Sequence, residues 1–176
     1  MNRKTLAYII GIILLLMIGG LIAANFLGKE RTVQTLSKTA ILTLTPATAV
    51  VKEGETLTLQ INLDSGGQEV DAVDAVLIYD DNVFEVQSLT PTELFPSYPV
   101  QTFTGGKITL SAFVLGSGEG PKIEAKKGVL AEVKLKALKK TTIASKIEVS
   151  NQSVVAVKGE DILDLSKSKG GECTVQ

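Results

Sequence analysis

Nine consecutive residues, Thr56 to Asp64, alternate without a break: Leu57, Leu59, Ile61 and Leu63 fall on one side of an extended chain, Thr58, Gln60 and Asn62 on the other. Successive side chains of a strand point to opposite faces, so this segment has one face to bury and one to leave in water. Such a strand needs neighbours that bury the same face, and from Ala40 onward the sequence supplies them. Leu42 and Leu44 alternate with threonines until Pro46 interrupts, and Lys52-Glu53-Gly54-Glu55 and Ser65-Gly66-Gly67-Gln68 bracket the nine residues as turns. Further strands are predicted over Ala72–Tyr79, ended by the turn Asp80-Asp81-Asn82, and over Lys107–Leu115, ended by the Gly116–Gly120 loop. Val129–Leu138, Lys146–Val149, Ser153–Val157 and Cys173–Val175 follow. Val83–Val86 reads as a short strand or helical turn, and Pro91–Pro99, rich in prolines and aromatics, as a loop. No stretch between Ala40 and Gln176 keeps a helical period. About nine strands in roughly 137 residues predict an all-β domain, a two-sheet sandwich with Greek-key connections.

The start of the chain is different in kind. Leu6 to Ala24 carries no charge, and at 1.5 Å per residue its 19 positions span roughly 28 Å as a helix, close to a bilayer's hydrocarbon core. Asn25, Phe26 and Leu27 lead to the interface, and Lys29, Glu30 and Arg31 stop the run. Residues 6–27 are therefore expected to form one transmembrane helix or signal anchor, after a short cytoplasmic start over 1–5 and before a polar tether over 28–39. Arg3, Lys4 and the α-amino group give a slight bias toward a cytoplasmic N-terminus. A cleaved signal peptide is the competing reading: the basic start suits it and Ile22-Ala23-Ala24 is a passable cut, but the apolar run is longer than such peptides use. Either way residues 40–176 are expected outside the cytoplasm, membrane-held in the first case and secreted in the second. The single cysteine, Cys173, makes no internal disulfide, so the domain stands on its hydrophobic core.

Catalysis has little to work with. The chain holds no histidine, which removes the commonest general base and metal ligand and any Ser-His or Cys-His pair. Asp71, Asp74, Asp80, Asp81 and Glu85 are numerous enough for a carboxylate pair, but Asp80-Asp81-Asn82 is turn chemistry and the others alternate onto a solvated face. No calcium loop with alternating Asp/Asn ligands and a closing glutamate is present, so no catalytic or metal residue is assigned. From Ala40 onward 18 acidic and 13 basic residues give a net charge of −5, against nucleic-acid binding, which needs dense Lys/Arg contacts. The signs segregate: ten acids lie between Glu53 and Glu93, and eight lysines between Lys122 and Lys146. Solvated strand faces explain this, or a basic patch meeting an acidic partner. Asn151-Gln152-Ser153 is a glycosylation sequon only in a host that uses it.

The order of segments resembles a cohesin domain, the jelly-roll-like sandwich related to certain cellulose-binding modules. The resemblance rests on Val73-Asp74-Ala75-Val76-Leu77-Ile78-Tyr79-Asp80 continuing through Val83-Phe84-Glu85-Val86, and on Gly106-Lys107-Ile108-Thr109-Leu110 running into the glycine loop. Gly128 to Ala137 and Gly170-Gly171 before the final strand complete it. It implies adhesion to a dockerin-like protein partner through one sheet face, with calcium carried by that partner and no cofactor of this chain's own. Carried across, the face includes Asp74 on one strand and Leu110, Ala112 and Val114 on another. The residues lend some support. Ala72, Asp74, Val76 and Ile78 form a face nearly as apolar as Val73, Ala75, Leu77 and Tyr79, and a two-sheet sandwich buries only one of them. Asp74, Val76, Leu110, Ala112 and Val114 are thus the candidate partner residues. A carbohydrate-binding module is the alternative; stacking on sugars uses large rings, and with no Trp the candidates are Phe95 and Tyr98. A structural envelope protein that binds copies of itself is the third reading.

Overall fold

The computed structural model describes residues 36–114 and 128–176, and all regular structure among them is β. Twelve strands follow in chain order: β1 (Ile41–Thr45), β2 (Thr48–Val51), β3 (Thr56–Asp64), β4 (Ala72–Ile78), β5 (Phe84–Pro91), β6 (Ser97–Thr104), β7 (Lys107–Phe113), β8 (Gly128–Ala137), β9 (Ser145–Val149), β10 (Val154–Val157), β11 (Glu160–Asp161) and β12 (Gly171–Val175). They make two sheets. The smaller runs β1-β3-β8-β5. The larger runs β11-β10-β4-β9-β12-β2, with β7 on the other edge of β4 and β6 outside β7.

The alternation over Thr56–Asp64 is realised residue by residue. In β3, Leu59, Ile61 and Leu63 are buried, while Gln60 and Asn62 lie on the outside at intermediate exposure. Val73, Ala75, Leu77 and Tyr79 of the larger sheet meet them in one core with Phe84, Ile108, Leu110, Leu130, Leu135, Val155 and Cys173. The smaller sheet keeps its outer face polar: Gln60 donates to Glu132 at 3.1 Å and Asn62 to Thr45 at 3.0 Å. The larger sheet does not.

Three strands go beyond the nine expected. The chain changes sheets at Pro46, so that β1 pairs antiparallel with β3 while β2 pairs parallel with β12. The predicted loop over Pro91–Pro99 narrows to residues 92–96, with Pro91 ending β5 and Ser97 opening β6, and Phe84–Val86 begin a long strand rather than a helical turn. Pro99 is tolerated because it falls in the register break between Ser97 and Val100 of an edge strand, where no ladder N–H is required. β11 is the far arm of a tight hairpin around Lys158 and Gly159.

Leu36 and Lys38, inside the predicted tether, already contact the domain. Leu36 packs on the core and donates its N–H to Glu160 at 2.9 Å, and Lys38 pairs with Asp161 at 2.6 Å. The expected transmembrane helix over 6–27 and the Gly116–Gly120 loop lie outside the described residues. Among the described residues no helix is long and apolar enough to cross a membrane. Gly170, one of the residues that carried the resemblance, has a packing reason: a Cβ there would run into the carbonyl oxygen of Ile147.

Candidate functional site

Directly opposite residues of antiparallel strands point to the same side of the sheet. The register of β10, β4, β7 and β6 therefore defines four rows on the outer face of the larger sheet. Ala156, Ala72, Phe113 and Ser97 form the first, and Val154, Asp74, Ser111 and Val100 the second. Val76, Thr109 and Thr102 form the third. Ile78, Lys107 and Thr104 form the fourth, extended by Glu148 from β9. The face is mixed, with Ile78 43 % and Val100 36 % exposed among hydroxyls and charges.

Of the five residues predicted to bind a partner, only Asp74 stands exposed on this face. Leu110 and Ala112 are corrected: they are 1 % and 2 % exposed and point into the core. The reason is register, since Leu110 opposes Ala75 and Ala112 opposes Val73, both inward residues, whereas Asp74 opposes Ser111. Val114 lies just beyond β7, packed against the same core and donating its N–H to Asp71 at 2.9 Å, so it too belongs inside. The residues that accompany Asp74 are therefore Ser111, Thr109, Val154 and Val100. The opposite-residue rule would have placed Ser111 and Thr109 beside it had the pairing of β4 and β7 been known.

Val76 has the predicted orientation but is only 4 % exposed. One edge of β4 is shared by β10 and β9 in succession, and the link between them, Ser150–Ser153, crosses at Val76. Ser153 substitutes for a ladder residue there: its hydroxyl accepts from the Val76 N–H at 3.0 Å and donates to the Val76 carbonyl at 3.1 Å. Ser150 adds an N–H to the same carbonyl at 2.8 Å. Val76 is thus the covered floor of the face rather than a contact on it.

Asp74 has no hydrogen-bond or ion-pair partner among the described residues. Lys107 turns to Gln152, which accepts from its Nζ at 2.7 Å. A carboxylate without a cation among the described residues, flanked by Val154 and Ser111 on the neighbouring strands and by Ala72 along its own, is poised for a hydrogen-bond donor or a positive charge from outside. The face is shallow, which suits a macromolecular surface rather than a small molecule.

The two aromatic candidates for sugar stacking are corrected as well. Phe95 is 3 % exposed and lies in the core. Tyr98 packs against that core, and its hydroxyl accepts the Phe95 N–H at 3.3 Å. Their rings meet edge to face, centroids 6.3 Å apart and planes at 85°, so they offer no shared platform. The carboxylates weighed for catalysis scatter: Asp80 caps its own turn by accepting from the Asn82 N–H at 2.9 Å, and Asp71 holds the N–H of Lys158. Among the described residues no three acidic or cysteine side chains gather as metal ligands.

Comparison with known proteins places these observations. The family description "Cohesin domain" matches residues 42–174. Among solved structures the chain is similar to CaCohA2 from Clostridium acetobutylicum, with a TM-score of 0.63 and 21 % identity over 77 % of this chain and 91 % of that one. The same cohesin in its complex with a variant of CaDoc0917 gives 0.66 and 23 %, covering 78 % of this chain and 100 % of that one. The sixth cohesin of Acetivibrio cellulolyticus scaffoldin B, solved with a Cel5 dockerin mutant, gives 0.63 and 14 % over 78 % and 99 %. A non-cellulosomal cohesin from the archaeon Archaeoglobus fulgidus gives 0.56 and 15 % over 78 % and 91 %. No curated protein matches the chain.

Proposed function

The chain belongs to the cohesin domain family, and on that premise we propose that it is a protein-adhesion module whose outer face on β10, β4, β7 and β6 docks a dockerin-type domain. Asp74 carries the reading: it is exposed and, among the described residues, without a partner, in a row whose other members are apolar or small hydroxyl residues. Asp74 takes a donor or cation of the incoming domain, Ser111 and Thr109 supply hydroxyls, and Val154, Val100 and Ile78 supply apolar contact. Calcium, where the interaction needs it, is held by the partner. The charge-free run over residues 6–27 supports display of the module from a membrane, C-terminal domain outward. A chain without histidine, on a family fold of scaffolding modules, is read as non-catalytic. The carbohydrate reading keeps no ring platform at Phe95 and Tyr98.

The test is a titration of the full chain in detergent micelles with a calcium-loaded dockerin domain, with and without a chelator. Saturable binding that falls at least about tenfold with Asp74→Lys is expected, the scale for truncating or reversing one partner of a charge-assisted contact. Dockerin binding unchanged by Asp74→Lys and by Ser111→Arg would place the interface elsewhere. Saturable binding to a polysaccharide with none to dockerins would replace the reading by the carbohydrate one.

A further inference from the structure

The larger sheet ends on one side in β6, and the edges of the fold are not treated alike. β1 is covered by the segment after β11: Ala40 donates to the Ile162 carbonyl at 3.0 Å, Leu44 to Lys169 at 3.1 Å, and Lys169 to Leu42 at 2.9 Å. β11 is two residues long and both are acidic. β5 carries Glu85, a register break between Val86 and Ser88, and Pro91. These are the devices by which natural sheets keep strangers from adding a strand. From Val100 to Thr104 β6 has none of them: Val-Gln-Thr-Phe-Thr is uncharged, β-prone and exposed throughout.

The hairpin geometry says which backbone groups are open. β6 and β7 are joined by the two residues Gly105 and Gly106, at φ 55° and 73°, the conformation of a type I′ turn. Thr104 and Lys107 then close the hairpin as a hydrogen-bonded pair, and the bonding alternates along the ladder. Thr104, Thr102 and Val100 spend their N–H and C=O groups on β7. Gln101 and Phe103 aim theirs away from it, and among the described residues nothing receives them.

We propose that this edge pairs with the same edge of a second copy of the chain, antiparallel about Thr102. In that register Gln101 lies opposite Phe103 of the second copy and Phe103 opposite its Gln101. All four open N–H groups and all four open carbonyls are then satisfied in two closed pairs. A shift of one pair in either direction satisfies fewer: it sets Phe103 against Pro99, which has no N–H, or Gln101 against the turn glycine Gly105. The absence of charge on the strand means that self-pairing brings no like charges together, although the domain as a whole is acidic. Opposite residues share a side, so the two outer faces become one continuous surface with two copies of the Asp74 row. The edge is separate from the Asp74 row, so self-pairing stands whether or not the row binds a dockerin.

Thr102 would meet its own copy at a non-hydrogen-bonded position, where Cα atoms approach to about 4.5 Å, within disulfide range. Val100 lies opposite Thr104 of the second copy, so either residue is about 14 Å from its own counterpart. Full-length Thr102→Cys, Val100→Cys and Thr104→Cys chains in detergent micelles, under mild oxidant, give the readout on a non-reducing gel; the native thiol of Cys173 is buried and silent. Thr102→Cys is expected to cross-link several-fold faster than the other two. Equal rates at the three positions, or none at Thr102→Cys, overturn the proposal. Thr102→Lys and Thr102→Glu chains provide the second measurement by sedimentation: each alone should lose the association that their mixture restores. Association of either alone at wild-type strength overturns it as well.

Discussion

Ser153→Ala isolates one device on which the docking face depends. In the folded protein Ser153 is 5 % and Val76 4 % exposed, and the serine hydroxyl is both acceptor and donor to the backbone of one residue. Removing it treats the two backbone groups of Val76 differently. The Val76 carbonyl keeps the Ser150 N–H at 2.8 Å. The Val76 N–H keeps nothing, because it points away from β7 toward the gap between β10 and β9. A buried donor left unsatisfied costs about 1–3 kcal/mol, so about 2 kcal/mol is expected. With an unfolding entropy of about 2.1 cal/mol/K per residue over the roughly 130 described residues, that loss lowers Tm by about 7 °C. Urea unfolding followed by far-UV circular dichroism should show a lower midpoint at unchanged m-value, since the exposed surface on unfolding is the same. Hydrogen exchange should accelerate selectively at the Val76 amide. A Ser153→Ala protein within about 0.5 kcal/mol of wild type, with the Val76 amide still protected, would refute the claim that a side chain stands in for a strand residue here.

Other expectations follow from the same description. Gly170→Ala forces a Cβ toward the Ile147 carbonyl and should cost about 2–3 kcal/mol by displacing β12 from β9, read as a drop in the urea midpoint. Cys173 is 1 % exposed and burial pushes its thiol pKa up, so a thiol reagent should modify the native protein only at its unfolding rate; prompt reaction would mean that β12 is open. Acid should destabilise the joint between β1 and the segment after β11. Burial raises the Asp161 carboxyl, but Lys38 and the N–H groups of Leu163 and Val155 bring it net below its ordinary value. Lys167 and Ser166 hold Asp164 down to about 2. A depressed carboxylate contributes its stability above its unfolded pKa and loses it as pH falls toward the folded one, so stability should be level near neutrality and decline from about pH 4 downward. Asp161→Asn should flatten part of that decline, which urea titrations at several pH values would reveal; because the Lys38 pair is exposed, the effect should also shrink in salt.

Strands are legible in the sequence where a period of two runs unbroken, as in Thr56–Asp64, and hidden where side-chain chemistry signals something else. β6 is hidden because Pro96, Pro99 and two aromatics look like a loop; a bulge at an edge absorbs Pro99 at no cost to the ladder. β2 is hidden because Pro46 marks a change of sheet rather than an end of pairing. At the site, Asp74 can be placed outside from its own strand, since a lone carboxylate among apolar neighbours goes to water. Leu110, Ala112 and Val114 cannot be sided from sequence, because which row of β7 faces out depends on the register against β4. The cover over Val76 is illegible for a related reason: it comes from Ser153, 77 residues away, through a break between two strands that share one edge.

The parallel pairing of β2 with β12 has a kinetic consequence. Thr48 lies beside Glu172 and Val51 beside Val175, so this ladder joins strands that lie far apart in sequence. That ladder cannot form until residues 171–175 have been made, however complete the middle strands are. Loop closure over so long a separation comes before its contacts repay it, which makes the final docking of residues 171–175 a late and slow event. Until then the core lacks Cys173 and Val175, and the sheet that carries Asp74 ends at β9. A domain of this topology stays open until β12 closes it.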